Sequence, residues 1–138
     1  MSSKIESGIR QIPYPQQCVY EMLSDLTNIE KVKDRLPEDK VKELSFDKDS
    51  VTVSVAPVGS VTMTIVDREE PKCIKFETTN SPLPFFFWIQ ILPVTDETSK
   101  MKLTVKADVN PFMAKMVEKP LKEGIEKIAE ALSLIQYR

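Results

Sequence analysis

The chain has 138 residues, 41% of them apolar and 29% charged, with a formal net charge of −2. That length and balance predict one soluble globular domain, residues 1–138, large enough to bury about two thirds of its unfolded surface. The charge lacks the footprint of a polyanion binder, so no nucleic-acid partner is expected.

Residues 4–12 read as a strand with Ile5 and Ile9 on one face, and Gly8 marks a bulge or a close backbone contact. Pro13 and Pro15 end it, and Pro15 suits the first position of a helix. Val19, Met22, Leu23 and Leu26 then follow the i, i+3, i+4, i+7 spacing of a short helix. Thr27 followed by Glu30 is a capping box. It predicts a second short helix carrying Ile29 and Val32 and stopping before Pro37.

From residue 40 the period changes to two. Residues 40–46 form a weak strand, and Asp47-Lys48-Asp49-Ser50 a turn. Val51, Val53 and Val55 alternate with Thr52 and Ser54, and Gly59-Ser60 signals a two-residue hairpin. Val61, Met63 and Ile65 then alternate with Thr62 and Thr64, and Ile74, Phe76 and Thr78 with Lys75 and Glu77. After a proline-containing loop at 80–84 comes a strand at 85–94. Across the turn at 95–99, Met101, Leu103, Val105 and Ala107 oppose Lys102, Thr104, Lys106 and Asp108. Short turns imply antiparallel neighbours, and alternation implies one covered face. The result is a meander of six strands with the first strand added at an edge.

Residues 111–135 predict one long amphipathic helix. Met113, Val117, Leu121, Ile125, Ile128, Leu132 and Ile135 share a side, while Lys115, Glu118, Lys119, Lys122, Glu126, Glu130 and Ser133 share the other. Full burial of each large apolar side chain is worth about 1.5–3 kcal/mol. Ordering each residue costs about 1–2 kcal/mol. The helix therefore needs a sheet to lie on. Pro120 removes one backbone bond and predicts a bend between two limbs. Gly124 and Ala131 are small residues near the stripe, suited either to close approach or to leaving volume for a ligand.

The strand at 85–92 breaks the alternation. Phe85, Phe87, Ile89 and Ile91 can face the helix, which leaves Phe86, Trp88 and Leu92 on the other side. Either a loop or the short helices cover that side, or Phe86 and Trp88 form an interface, with a homodimer as one form of it.

The order of strand, two short helices, six antiparallel strands and a long C-terminal helix resembles the helix-grip fold of the START-like superfamily. This is also called the SRPBCC or birch-pollen-allergen-like group, and it includes polyketide cyclase/dehydrase-like proteins and lipid-transfer domains. The resemblance spans essentially the whole chain and is architectural. Its local carriers are Ser24-Asp25-Leu26-Thr27-Asn28-Ile29 and the Asn110-Pro111 entry into the closing helix, an ending similar to that of small bacterial members. It implies an α+β fold in which a seven-stranded curved antiparallel sheet wraps around the C-terminal helix, and a cavity for a hydrophobic ligand between them. The glycine-rich loop of the plant members is replaced by Asp47-Lys48-Asp49-Ser50, so roles tied to that loop do not carry over.

An apolar small molecule, lipid- or polyketide-like, is the expected partner. The expected wall is Val53, Val55, Met63, Ile65, Phe76, Phe87, Leu103 and Val105, roofed by Met113, Met116, Val117, Leu121 and Ile128. Methionine adapts its shape, which suits a loosely specified ligand. The alternative is that these residues simply fill a core. A cyclase- or dehydrase-like enzyme needs an ionisable group in the cavity. Asp25, Glu43 and Asp67 stand near element ends and are expected at the surface. Histidine is absent, which removes the commonest general base and metal ligand. With three glycines and no nucleophile motif, no catalytic residue, metal or cofactor is expected. Cys18 and Cys73 are expected as reduced thiols. No apolar run reaches the roughly 20 residues of a membrane span, and MSSKIESGIR lacks the apolar core of a signal peptide. No membrane insertion and a cytoplasmic location are expected.

Overall fold

The computed structural model of the chain describes residues 2–28, 30, 45–55, 59–80, 84–108, 111–135 and 137, with the side chains of residues 2, 3, 53–55, 59, 108, 113 and 117 outside the description. The chain is α+β, a curved, unclosed antiparallel sheet carrying a C-terminal helix. Its strands are β1 (Ser2–Glu6), β2 (Arg10–Ile12), β3 (Ser45–Phe46), β4 (Ser50–Val55), β5 (Gly59–Glu69), β6 (Cys73–Asn80), β7 (Phe85–Pro93) and β8 (Ser99–Asp108). The helices are α1 (Gln16–Leu23), a 3-10 turn at Leu26–Asn28, and α2 (Pro111–Ser133). The sheet runs β1-β8-β7-β6-β5-β4-β3, and β2 also pairs with β8.

The expected first strand is two. Glu6 stands opposite Thr104 and Arg10 opposite Met101, so Ser7, Gly8 and Ile9 face only Lys102 and Leu103. This is a bulge, and its backbone need is met locally. Ser7 N–H donates to the Leu103 carbonyl at 2.8 Å, and Leu103 N–H donates to Ser7 Oγ at 2.9 Å. A Cβ at Gly8 would sit 3.7 Å from a Glu126 oxygen, ordinary contact, so the bulge does not demand glycine.

Two other expectations shift. Gly59 and Ser60 are strand residues paired with Val55 and Ser54, which moves that connection to residues 56–58, outside the described residues. Thr27 lies inside the 3-10 turn, where Asp25 is the capping group. The Asp25 carboxylate accepts from Thr27 N–H at 3.0 Å and from the Thr27 hydroxyl at 2.6 Å, and these bonds hold its pKa below the ordinary aspartate value. Of the expected second helix only Glu30 is described, and it is helical; Ile29 and Val32 lie outside the described residues, as does most of the weak strand at 40–46. The 47–50 turn forms as expected. Asp47 accepts from Asp49 N–H, Ser50 N–H and the Ser50 hydroxyl at 2.9, 2.9 and 3.0 Å.

Candidate functional site

The alternation places one apolar row across five strands. Ile65 pairs with Phe76, Phe76 with Phe87, Phe87 with Val105 and Val105 with Ile5. All five side chains are buried. Phe76 and Phe87 meet edge to face with ring centroids 5.5 Å apart, the arrangement their quadrupoles favour. Leu103, one pleat along from Val105, is fully buried against the same face. Two helices cover this face. α1 packs on β6 and β7 through Val19, Tyr20 and Leu23, and α2 packs on β1, β2 and β8 through Leu121, Ile125, Ala129 and Leu132.

The expected wall and roof are thus placed unevenly. Ile65, Phe76, Phe87, Leu103 and Val105 come together on the covered face, Met63 is half-buried beside them, and Leu121 and half-buried Ile128 pack from α2. The side chains of Val53, Val55, Met113 and Val117 lie outside the described residues. Met116 departs from its expected place in the roof: it is 56% exposed. It precedes buried Leu121 by five positions, which turns it about 140° away around the helix. Exposed Phe112 stands one turn before it. Pro120 lies within α2, which runs unbroken from Pro111 to Ser133 as a single element. Gly124 has no atom near enough to touch a Cβ, so close approach is not what its small size serves.

Sequence reasoning missed how α2 is held. Glu126 Oε1 accepts the bulge's Gly8 N–H at 2.6 Å, and its other oxygen stands 3.9 Å from Arg10 Nη2. Lys122, one turn earlier, donates to the Glu6 carbonyl. The sequence placed both residues on the wet side, and they do sit there, but reaching sideways over the sheet edge. Tyr137 was missed as well. Its ring meets Tyr14 edge-on at 5.8 Å and its hydroxyl donates to the Leu132 carbonyl at 2.6 Å. Burial pushes its phenol well above the ordinary tyrosine value.

On the opposite face, Phe86 and Trp88 are half-buried, with centroids 5.9 Å apart. Among the described residues, neither a loop nor a short helix covers them. Lys75 does, its ammonium 4.8 Å from the Phe86 centroid and 5.6 Å from that of Trp88. Leu92 is 49% exposed. Asp25 belongs to the turn before β3, Asp67 is exposed on β5, and Glu43 lies outside the described residues, so neither described carboxylate joins the apolar row. Cys18 and Cys73 are free, and burial raises the Cys73 thiol above its ordinary value. Among the described residues no three His, Cys, Asp or Glu side chains gather to hold a metal ion, and no helix is long and apolar enough to cross a membrane.

The architecture recurs in solved structures. Norcoclaurine synthase from Thalictrum flavum superposes with a TM-score of 0.75 at 17% identity, over 96% of this chain and 85% of that one. A START superfamily protein from Mycobacterium smegmatis gives 0.67 at 15%, over 96% and 93%. A protein from Thermus thermophilus gives 0.64 at 20%, over 95% and 94%. At such identities the likeness is one of fold. No curated protein sequence matches the chain. A family model described as polyketide cyclase / dehydrase and lipid transport matches residues 7–133. That span runs from the Ser7 bulge to the last residue of α2 and takes in both helices that cover the sheet. The chain therefore belongs to the polyketide cyclase / dehydrase and lipid transport family.

Proposed function

We propose that the chain binds an apolar small molecule, lipid- or polyketide-like, between the concave face of the sheet and α2. The observation that carries this reading is the Ile65–Phe76–Phe87–Val105 row, a continuous apolar surface under two helices. A ligand seated there gains by removing apolar area from water, roughly 25 cal/mol per Å². Among the described residues no carboxylate or ammonium group joins the row, and the Tyr20 phenol that α1 packs over β6 and β7 is held protonated by burial, which favours carriage or sensing over acid–base chemistry. Met63 and Ile128 pack against the core while remaining partly exposed, so the apolar face reaches the surface beside β5 and α2. The family description, which includes lipid transport, supports the same class.

Titration with a neutral apolar dye such as Nile red, together with native mass spectrometry after gentle purification, tests the reading. Saturable dye uptake is expected, competed by a long-chain fatty acid. Ile128→Trp, which fills space beneath α2, is expected to reduce uptake at least fivefold while the protein still melts cooperatively. A flat wild-type titration with no retained ligand overturns the proposal. So does uptake that Ile128→Trp leaves unchanged.

A further inference from the structure

The outward face of β6, β7 and β8 has a composition that ligand binding on the other face does not use. Two grooves flank Trp88. One, of about 610 Å³, runs between Lys75, Glu77, Phe86 and Lys106. The other, of about 430 Å³, passes Glu69, Lys72, Gln90, Leu92, Lys100 and Lys102. Together they gather five lysines against two glutamates, in a chain whose net charge is −2. Lys102 is paired with Glu6 at 2.5 Å. Lys72, Lys75, Lys100 and Lys106 make no ion pair with a described residue.

We propose that this face docks an acidic, extended segment of a partner protein. Three features point to that occupant. The first is charge complementarity: five ammonium groups exceed the nearby carboxylates, Glu69 and Glu77 in the grooves and Asp67 opposite Lys75 on β5, and that excess favours a partner carrying carboxylates. The second is spacing. Lys100, Lys102 and Lys106 share one face of β8 at even-numbered intervals. Alternate residues of a strand lie about 7 Å apart, and an extended peptide laid along β8 repeats its side chains at the same interval. The third is the apolar floor. Phe86, Trp88 and exposed Leu92 on the adjacent strand offer the grooves in which an apolar side chain of such a segment is received. A second copy of this face is disfavoured, since it brings lysines against lysines. A nucleic acid would stack on ring faces, and Lys75 already occupies those of Phe86 and Trp88. A membrane favours protruding rings, and these are half-buried.

Trp88 is the chain's only tryptophan, so its emission, excited selectively over that of the three tyrosines, reports on this face. The probe is a short capped peptide of glutamates around two leucines, titrated into the intact chain. A saturable change in Trp88 emission is expected, weakening as salt is raised. Lys75→Gln and Lys106→Gln are each expected to weaken binding by about two- to fivefold, the scale of an exposed ion pair. Both variants are expected to melt like wild type. Four results overturn the proposal: no saturable change, equal binding of the peptide with glutamine for glutamate, tighter binding of an oligothymidylate or of anionic vesicles, or a wild-type dimer in sedimentation that Trp88→Lys dissolves.

Discussion

Tyr137 carries its hydroxyl into the protein and donates it to one carbonyl, that of Leu132. Tyr137→Phe removes the donor and leaves the ring packing against Tyr14, so the expected loss is about 0.5–1.5 kcal/mol. The same burial fixes the sign of a pH effect. The folded phenol titrates above its ordinary value of 10.0, because burial disfavours the phenolate. Its contribution to stability is complete below that value and is lost as pH rises through the folded value. Tyr20, raised mainly by burial, acts in the same direction. Chemical denaturation across pH 8–12 should therefore show stability falling only above about pH 10. Tyr137→Phe should shallow that fall without abolishing it, since Tyr20 remains. An unchanged alkaline slope in the variant contradicts the assignment. On the acid side the lowered carboxylates Glu6, Asp25 and Asp47 act together. Asp47, lowered by the Asp49 N–H first and by Ser50 next, contributes above its ordinary value of 3.8 and loses that contribution as pH falls through the folded value.

At the scale of elements, the bulge and α2 form one joint. The Ser7 hydroxyl accepts the Leu103 N–H at a buried position. Ser7→Ala should cost about 1–3 kcal/mol, the penalty for an orphaned buried donor. A cost below about 0.5 kcal/mol would show that the bulge relaxes around the change. Within α2, Gly124 points a hypothetical Cβ into open space. Gly124→Ala should then raise stability by about 0.5–1 kcal/mol, the helix-interior difference between the two residues. A thermal midpoint higher by about 2–4 °C is the expected reading. A lower midpoint would mean that neighbours close over Gly124 in solution.

At the scale of the whole molecule, what was legible in the sequence was whatever repeats. Strands wet on one face announce themselves by alternation, and that pattern alone turns Phe76, Phe87 and Val105 to the same inward side. The long helix was legible for the same reason. What stayed hidden depends on pairs far apart in the chain. The Gly8–Glu126 bond spans 118 positions, and no local pattern encodes it. Met116 was misplaced because it is apolar and lies within the expected roof, yet it is turned away from the Leu121 side of α2. Because the two proposed bindings use opposite faces of the sheet, one experiment separates them. A ligand that binds only the folded chain stabilises it by mass action, about 2.7 kcal/mol at a hundredfold excess over its dissociation constant. For a chain of this length that corresponds to a rise of about 5–10 °C in the melting midpoint. A saturating apolar ligand should give this rise in wild type and in Lys106→Gln, whose change lies on the outward face. It should give little or none in Ile128→Trp. A rise lost in Lys106→Gln and kept in Ile128→Trp would place the apolar ligand in the grooves beside Trp88, and the concave face would then be core alone.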